Sequence, residues 1–163
     1  MKEKLIRPLN YIEACKYIGT RLKIVLGDNL ISIVIFGSYA MLVPDIYSDI
    51  DTLIVVHEVT PKIEEVINEV ATDFAITFGR TLSPVVLSSK DIEDSINAVD
   101  SFIVFIFWAH DILYDKKNWF RQQMDLLQQK LMKTKKKIIF RRGALVWTLE
   151  DLKILQGNIT KPR

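Results

Sequence analysis

Two short runs rich in β-branched residues, LISIVIF at 30–36 and DTLIVV at 51–56, constrain the fold more than any other feature of the chain. Each is too short for a globular helix. Gly37-Ser38 closes the first and His57-Glu58-Val59-Thr60-Pro61 closes the second, so both read as buried strands bounded by turn chemistry. Around them the apolar spacing becomes helical. Tyr11, Ile12, Ala14, Cys15, Ile18, Leu22 and Val25 recur on a helix that Gly27 stops, and Ile63, Val66, Ile67, Val70 and Phe74 recur on one that Thr60 caps, Pro61 opens and Gly79 ends. Leu82–Leu87 predicts a third strand, and Ser88 or Ser89 the cap of another helix with Asp91 and Glu93 in its first turn. Beyond that, Ser101–Tyr114 is apolar on nearly every side and predicts a buried helix, and Trp119–Lys133 an amphipathic one with Phe120, Met124, Leu127 and Leu131 on its stripe. The predicted order is helix, strand, strand, helix, strand, then helices, an α+β (α/β) chain.

Composition limits what such a chain does. With 163 residues, 49% of them apolar and a net charge of +2, it is long enough for one core and too apolar for disorder, so a core at 1–99 with a helical extension packed on it at 100–163 is expected. Cys15 is the only cysteine, which excludes an intrachain disulfide and a cysteine-based zinc site. The start MKEKLIRPLN lacks an apolar signal core, and the longest apolar run, Phe102–Ala109, falls short of a membrane span, so a cytoplasmic protein with no membrane partner is expected.

Within this frame Asp49 and Asp51 raise a chemical question. On a strand, residues i and i+2 share a face, so the two carboxylates point together while Ile50 turns into the core. Carboxylates held that close repel unless a cation lies between them or one takes a proton. A divalent metal meets that need, and magnesium prefers a few carboxylates together with phosphate oxygens. Gly37-Ser38 offers the complementary half. A glycine at a strand end lets backbone approach a ligand, and the Ser38 hydroxyl with the amides of a short helix at Tyr39-Ala40 can take a phosphate. If the strands around Phe36 and Thr52 are neighbours, the serine and both acids border one cleft.

Gly37-Ser38, about ten residues, then Ser48-Asp49-Ile50-Asp51 with apolar flanks resembles the signature of the DNA polymerase beta-like nucleotidyltransferase superfamily, especially its minimal nucleotidyltransferases. The resemblance covers roughly residues 10 to 95. More loosely, the stretch His110–Asp115 with the following helix and Trp147-Thr148-Leu149 is similar to the back half of some archaeal members. The resemblance implies a nucleotidyltransferase fold, a short mixed sheet flanked by helices with a small C-terminal helical segment. It implies nucleotide phosphates at Gly37 and Ser38, Mg2+ at Asp49 and Asp51 as metal ligands and catalytic residues, and transfer of AMP from ATP, a nucleoside triphosphate, to an acceptor hydroxyl. It further implies an antitoxin-like partnership, in which the acceptor lies on a HEPN-type ribonuclease supplied as a separate chain, since the Arg-x4-His motif of that ribonuclease is absent here. Active members of the family usually carry a third carboxylate on the next strand. The corresponding stretch here, Thr81–Leu87, has none; Val85 falls near that position and Ser83 is its only polar neighbour. Loss of a metal ligand or base costs orders of magnitude in rate, so a non-catalytic nucleotide- or partner-binding protein of the same fold is the alternative.

Other signals are weaker. His57 and His110 have no companion ligands and read as a surface and a packed histidine; Ser48 reads as a turn cap; Trp108, Trp119 and Trp147 read as core or interface. Lys130, Lys133, Lys135, Lys136, Lys137, Arg141 and Arg142 form a basic segment, but the balanced net charge and the lack of interleaved base-reading aromatics disfavour nucleic acid as a partner. A homo-oligomer stays open.

Overall fold

The computed structural model describes residues 9–133, 138–139 and 146–147. The first helix, α1 (Tyr11–Leu26), starts at Asn10, whose side chain accepts from Glu13 N, and stops at Gly27 with φ 51°. Strand β1 (Leu30–Phe36) leads into the one-turn helix α2 (Gly37–Ala40), and β2 (Ile50–Val56) returns beside β1. Thr60 then caps α3 (Pro61–Phe78), which ends at Gly79 in the left-handed region. This helix is rich in β-branched residues, a propensity cost of about 0.5 kcal/mol each. Burying Ile67, Val70 and Phe74 against the sheet returns roughly 1.5–3 kcal/mol per side chain, so packing decides the helix. Strand β3 (Leu82–Ser88) follows, then α4 (Ser89–Ala98), capped by Ser88 in a reciprocal box with Asp91.

The strands form one mixed sheet in the order β3-β2-β1-β4, where β4 is Asp111–Asp115. β1 is antiparallel to both its neighbours, while β2 and β3 run parallel across the α3 connection. Alternate residues of the strands feed two apolar clusters. On one face Ile33, Ile35, Ile50 and Ile54 meet α1 and α3; on the other Val34, Phe36, Leu53 and Val55 meet α4, α5 (Ser101–Trp108) and α6 (Trp119–Lys133). The amphipathic stripe of α6 is as expected, with Phe120, Met124, Leu127 and Leu131 all buried.

One expectation is corrected. The buried helix predicted over Ser101–Tyr114 ends at Trp108, and Asp111–Asp115 is a strand on the free edge of β1. Ala109 is extended (φ −148°, ψ 119°), and His110 turns back so that its Nδ1 lies 2.9 Å from Ile106 O. Without β4, the fully buried β1 would leave one row of backbone groups unsatisfied, and that demand outweighs helix continuation. Residues on both sides of position 99 thus build one sheet.

Ile138–Ile139 and Val146–Trp147 form a short antiparallel pair, β5 and β6. Lys135, Lys136, Lys137, Arg141 and Arg142, most of the apolar stretch Ala144–Leu149 and the segment from Gly157 to Arg163 lie outside the described residues. Among the described residues no helix is long and apolar enough to cross a membrane.

Candidate active site

The four residues singled out from sequence meet at one end of the sheet. In the β1–β2 ladder Phe36 lies opposite Asp51, so Gly37, the next residue, turns over the start of β2. Gly37 has φ 72°, a conformation L side chains rarely adopt. A Cβ there would lie 3.1 Å from Asp51 Cγ and would collide with its Oδ2. The glycine is therefore needed both for the backbone turn and for the space the carboxylate fills. Ile50 is fully buried and donates its N–H to Thr81 O at 2.9 Å, which turns the side chains on either side of it the other way. Asp51 shares its face with Phe36 and Leu53, and Asp49, exposed one residue before the strand begins, is reached by the Ser83 hydroxyl at 3.4 Å. Ser38, partly buried, sits in the single turn of α2, whose backbone is closed by Met41 N to Gly37 O and Val43 N to Ser38 O, both 3.0 Å.

β3 runs parallel to β2 beside the acid pair. Ser83 lies opposite Asp51, and Val85 lies opposite Leu53, one alternation deeper, packed against the apolar cluster. The residue beside the acid pair is thus Ser83, and Val85 faces the core. Asp91 and Asp94 are accounted for elsewhere. Asp91 accepts from Ser88 N at 2.8 Å, and the Ser88 hydroxyl and backbone hold its carboxyl below the usual range; Asp94 pairs with Lys90 at 3.1 Å. Ser48 has the turn role: its hydroxyl accepts from Asp45 N at 2.9 Å and donates to Asp45 Oδ1 at 3.1 Å. His57 is exposed, while His110 packs edge-on against Phe120 and burial pushes its pKa down. Among the described residues no group of three or more His, Cys, Asp and Glu side chains converges to hold a metal.

Two features escaped sequence reasoning. Between the two halves of the motif, Met41, Leu42, Val43, Ile46 and Tyr47 are all exposed, Leu42 and Tyr47 at 72% and 76%, with Leu42 at φ 60°. Five large apolar side chains in one seven-residue stretch were visible in the sequence, but not that they face outward. Next to Ser38, Tyr39 is buried and its ring stacks on that of Tyr11 (centroids 5.3 Å, 14°), whose hydroxyl donates to Asp111 Oδ2 at 2.9 Å. That contact spans a hundred residues and has no local signal.

The chain is similar to known proteins in sequence and in fold. The model of the family described as nucleotidyltransferase domain matches residues 20–146. A candidate protein adenylyltransferase of Methanocaldococcus jannaschii is 26% identical over 157 residues, which cover 93% of this chain and 99% of the relative. A chain in the crystal structure of a toxin-antitoxin with AMP-PNP superposes with a TM-score of 0.52 at 13% identity, over 90% of this chain and 98% of that one. A chain from the complex of a tri-AMPylated Shewanella oneidensis HEPN toxin with an MNT antitoxin gives a TM-score of 0.45 at 13% identity, over 90% and 99%.

Proposed function

Because the chain belongs to the nucleotidyltransferase domain family, we propose that it transfers AMP from ATP to a hydroxyl group on a protein partner, with Mg2+ as cofactor. The observation that carries this reading is the seating of the Asp51 carboxylate against Gly37, which joins the phosphate-binding turn and the acid pair into one site. The adenylyltransferase relative supports the choice of nucleotide.

Asp49 and Asp51 present hard oxygen donors, and among the described residues no histidine or cysteine joins them in a group of three or more ligands, a set that suits magnesium completed by phosphate oxygens and water. Bound there, the ion supplies neutralisation of the triphosphate and a lowered pKa for the attacking hydroxyl. The chain's own residues do the rest. Gly37, lacking a side chain, lets the Asp51 carboxylate lie against the turn, and Ser38 donates its hydroxyl to the phosphates. The acceptor oxygen forms a bond to the α-phosphorus, the bond from that phosphorus to the bridging oxygen of the β-phosphate breaks, pyrophosphate leaves and the hydroxyl proton passes to solvent. Ser83 is the β3 residue opposite Asp51, and its hydroxyl is a poor base. Turnover is therefore expected to be slow.

The exposed apolar stretch at Met41–Tyr47 supports a protein acceptor. It lies between the two halves of the motif, so a surface covering it would border the transferred phosphate, and apolar contacts suit a protein better than a sugar or nucleic acid. A toxin partner is in keeping with the toxin-antitoxin structure of the same fold, and a HEPN-type ribonuclease is the partner that the sequence resemblance implies. Ser83 beside Asp51 favours a second reading, a nucleotide- or partner-binding protein without turnover.

The deciding experiment is magnesium-dependent transfer from α-labelled ATP, with the chain alone and with a HEPN-type ribonuclease from a neighbouring gene, for wild type, Asp49→Asn and Asp51→Asn. Label on the ribonuclease only when both aspartates are present is the expected result. No transfer in either arm by a folded wild-type chain would give the second reading precedence.

A further inference from the structure

We propose that Tyr11 is a positioning residue for nucleotide binding: its ring, stacked on Tyr39 and tethered through its hydroxyl to Asp111, fixes the single helical turn that carries Ser38. The inference rests on the phosphate-binding reading of Gly37-Ser38 given above. α2 has four residues and no side-chain cap at its start, and one isolated turn is too costly to nucleate to hold its own orientation. Its placement is imposed from outside at two points. On one side Gly37 lies against the Asp51 carboxylate. On the other Tyr39, adjacent to Ser38, is buried in the cluster beneath α1, with its ring on Tyr11.

Tyr11 needs an anchor of its own, because it is the first residue of α1 and helix ends fray. Asn10 caps the helix there, and the Tyr11 hydroxyl reaches Asp111 at 2.9 Å. Asp111 lies opposite Ile35 in the β1–β4 ladder, two residues before Gly37. The contacts therefore close a ring from β1 to β4, through Asp111 and Tyr11 to Tyr39, and back along α2 to the end of β1. Burial, with Cys15 and Asp111 nearby, pushes the Tyr11 pKa well above that of a free tyrosine, so the hydroxyl stays protonated and donating at any working pH. An aromatic stack plus a bond to a carboxylate is enough to set the population of one α2 orientation over others.

The test measures Mg-ATP affinity by calorimetry, KM and kcat of AMP transfer, and amide exchange over residues 38–41, on the full chain carrying Tyr11→Phe, Tyr11→Leu or Asp111→Asn. Tyr11→Phe keeps the stack and loses the tether; an ATP affinity and KM weaker by about threefold are expected, against about tenfold for Tyr11→Leu, with kcat little changed. Asp111→Asn retains an acceptor and is expected to stay close to wild type. Exchange at 38–41 should quicken in the same order while β2 and α3 stay protected. ATP affinity and exchange unchanged in both Tyr11 variants, or a general loss of protection without a selective effect at 38–41, would overturn the inference. Wild type that binds no ATP would instead overturn the phosphate-binding reading, and the nucleotide role of Tyr11 with it.

Discussion

Gly37 concentrates two demands on a single residue, a positive φ and a vacancy that the Asp51 carboxylate occupies. Gly37→Ala meets both objections at once. Holding an L residue left-handed costs about 1–2 kcal/mol, and the new methyl must push Asp51 aside. Displacing a reacting group by about 1 Å can cost on the order of a hundredfold in rate. Urea denaturation and AMP transfer measured side by side should then show a stability loss of about 1–2 kcal/mol and a far larger loss of activity. A transfer rate equal to wild type would mean that the contact between the turn and the acid is dispensable. That this glycine ends a strand, and that Asp49 and Asp51 flank an inward Ile50, could be read from residue types and alternation alone. Which β3 side chain stands beside them could not. A parallel partner's register depends on the length and packing of α3, so Ser83 and Val85 were separable only once the ladder was formed.

At the level of elements, the least legible piece is the junction of β4 with α6. Asp115 ends β4 with a side chain only 1% exposed, and its carboxylate accepts from the Ser32 hydroxyl at 2.9 Å, Phe120 N at 2.8 Å and Arg121 N at 3.1 Å. One side chain thus caps the start of α6 and satisfies a fully buried serine of β1. Asp115→Ala leaves those donors without an acceptor, at about 1–3 kcal/mol for a buried orphan and about 1 kcal/mol for the lost cap. A total near ~3 kcal/mol is expected as a lower urea midpoint with an unchanged slope, and Asp115→Asn should cost less because it keeps one oxygen. A cost below ~1 kcal/mol for the alanine variant would show that water replaces the carboxylate there. The apolar run over Ser101–Tyr114 hid this junction because a segment hydrophobic on every side carries neither a 3.6- nor a 2-residue period.

For the molecule as a whole, two helical layers enclose the sheet, and His110 lies where α5 hands over to β4. Burial lowers its pKa, so between its folded value and about 6.5 the unfolded chain binds the proton that the folded chain refuses. Its contribution is fully present above about pH 6.5 and is lost as pH falls through the folded value. Urea midpoints for wild type and His110→Gln between pH 7.5 and pH 5.5 should show a steeper acid loss in wild type; equal slopes would mean that the ring is hydrated in the fold. The sequence by itself determined the local events: the Thr60 cap and a serine cap at 88 or 89, the glycine stops at 27 and 79, the inward face of α6, and the spacing that brings Gly37-Ser38 toward Asp49 and Asp51. These depend on residues a few positions apart, where backbone sterics and side-chain period act directly. The tertiary structure alone decided the fourth strand, the place of Ser83, the outward turn of Met41–Tyr47 and the meeting of Tyr11 with Asp111. Each of those joins residues far apart in the chain, and such pairings are selected only when the whole core closes and every buried backbone group must find its partner.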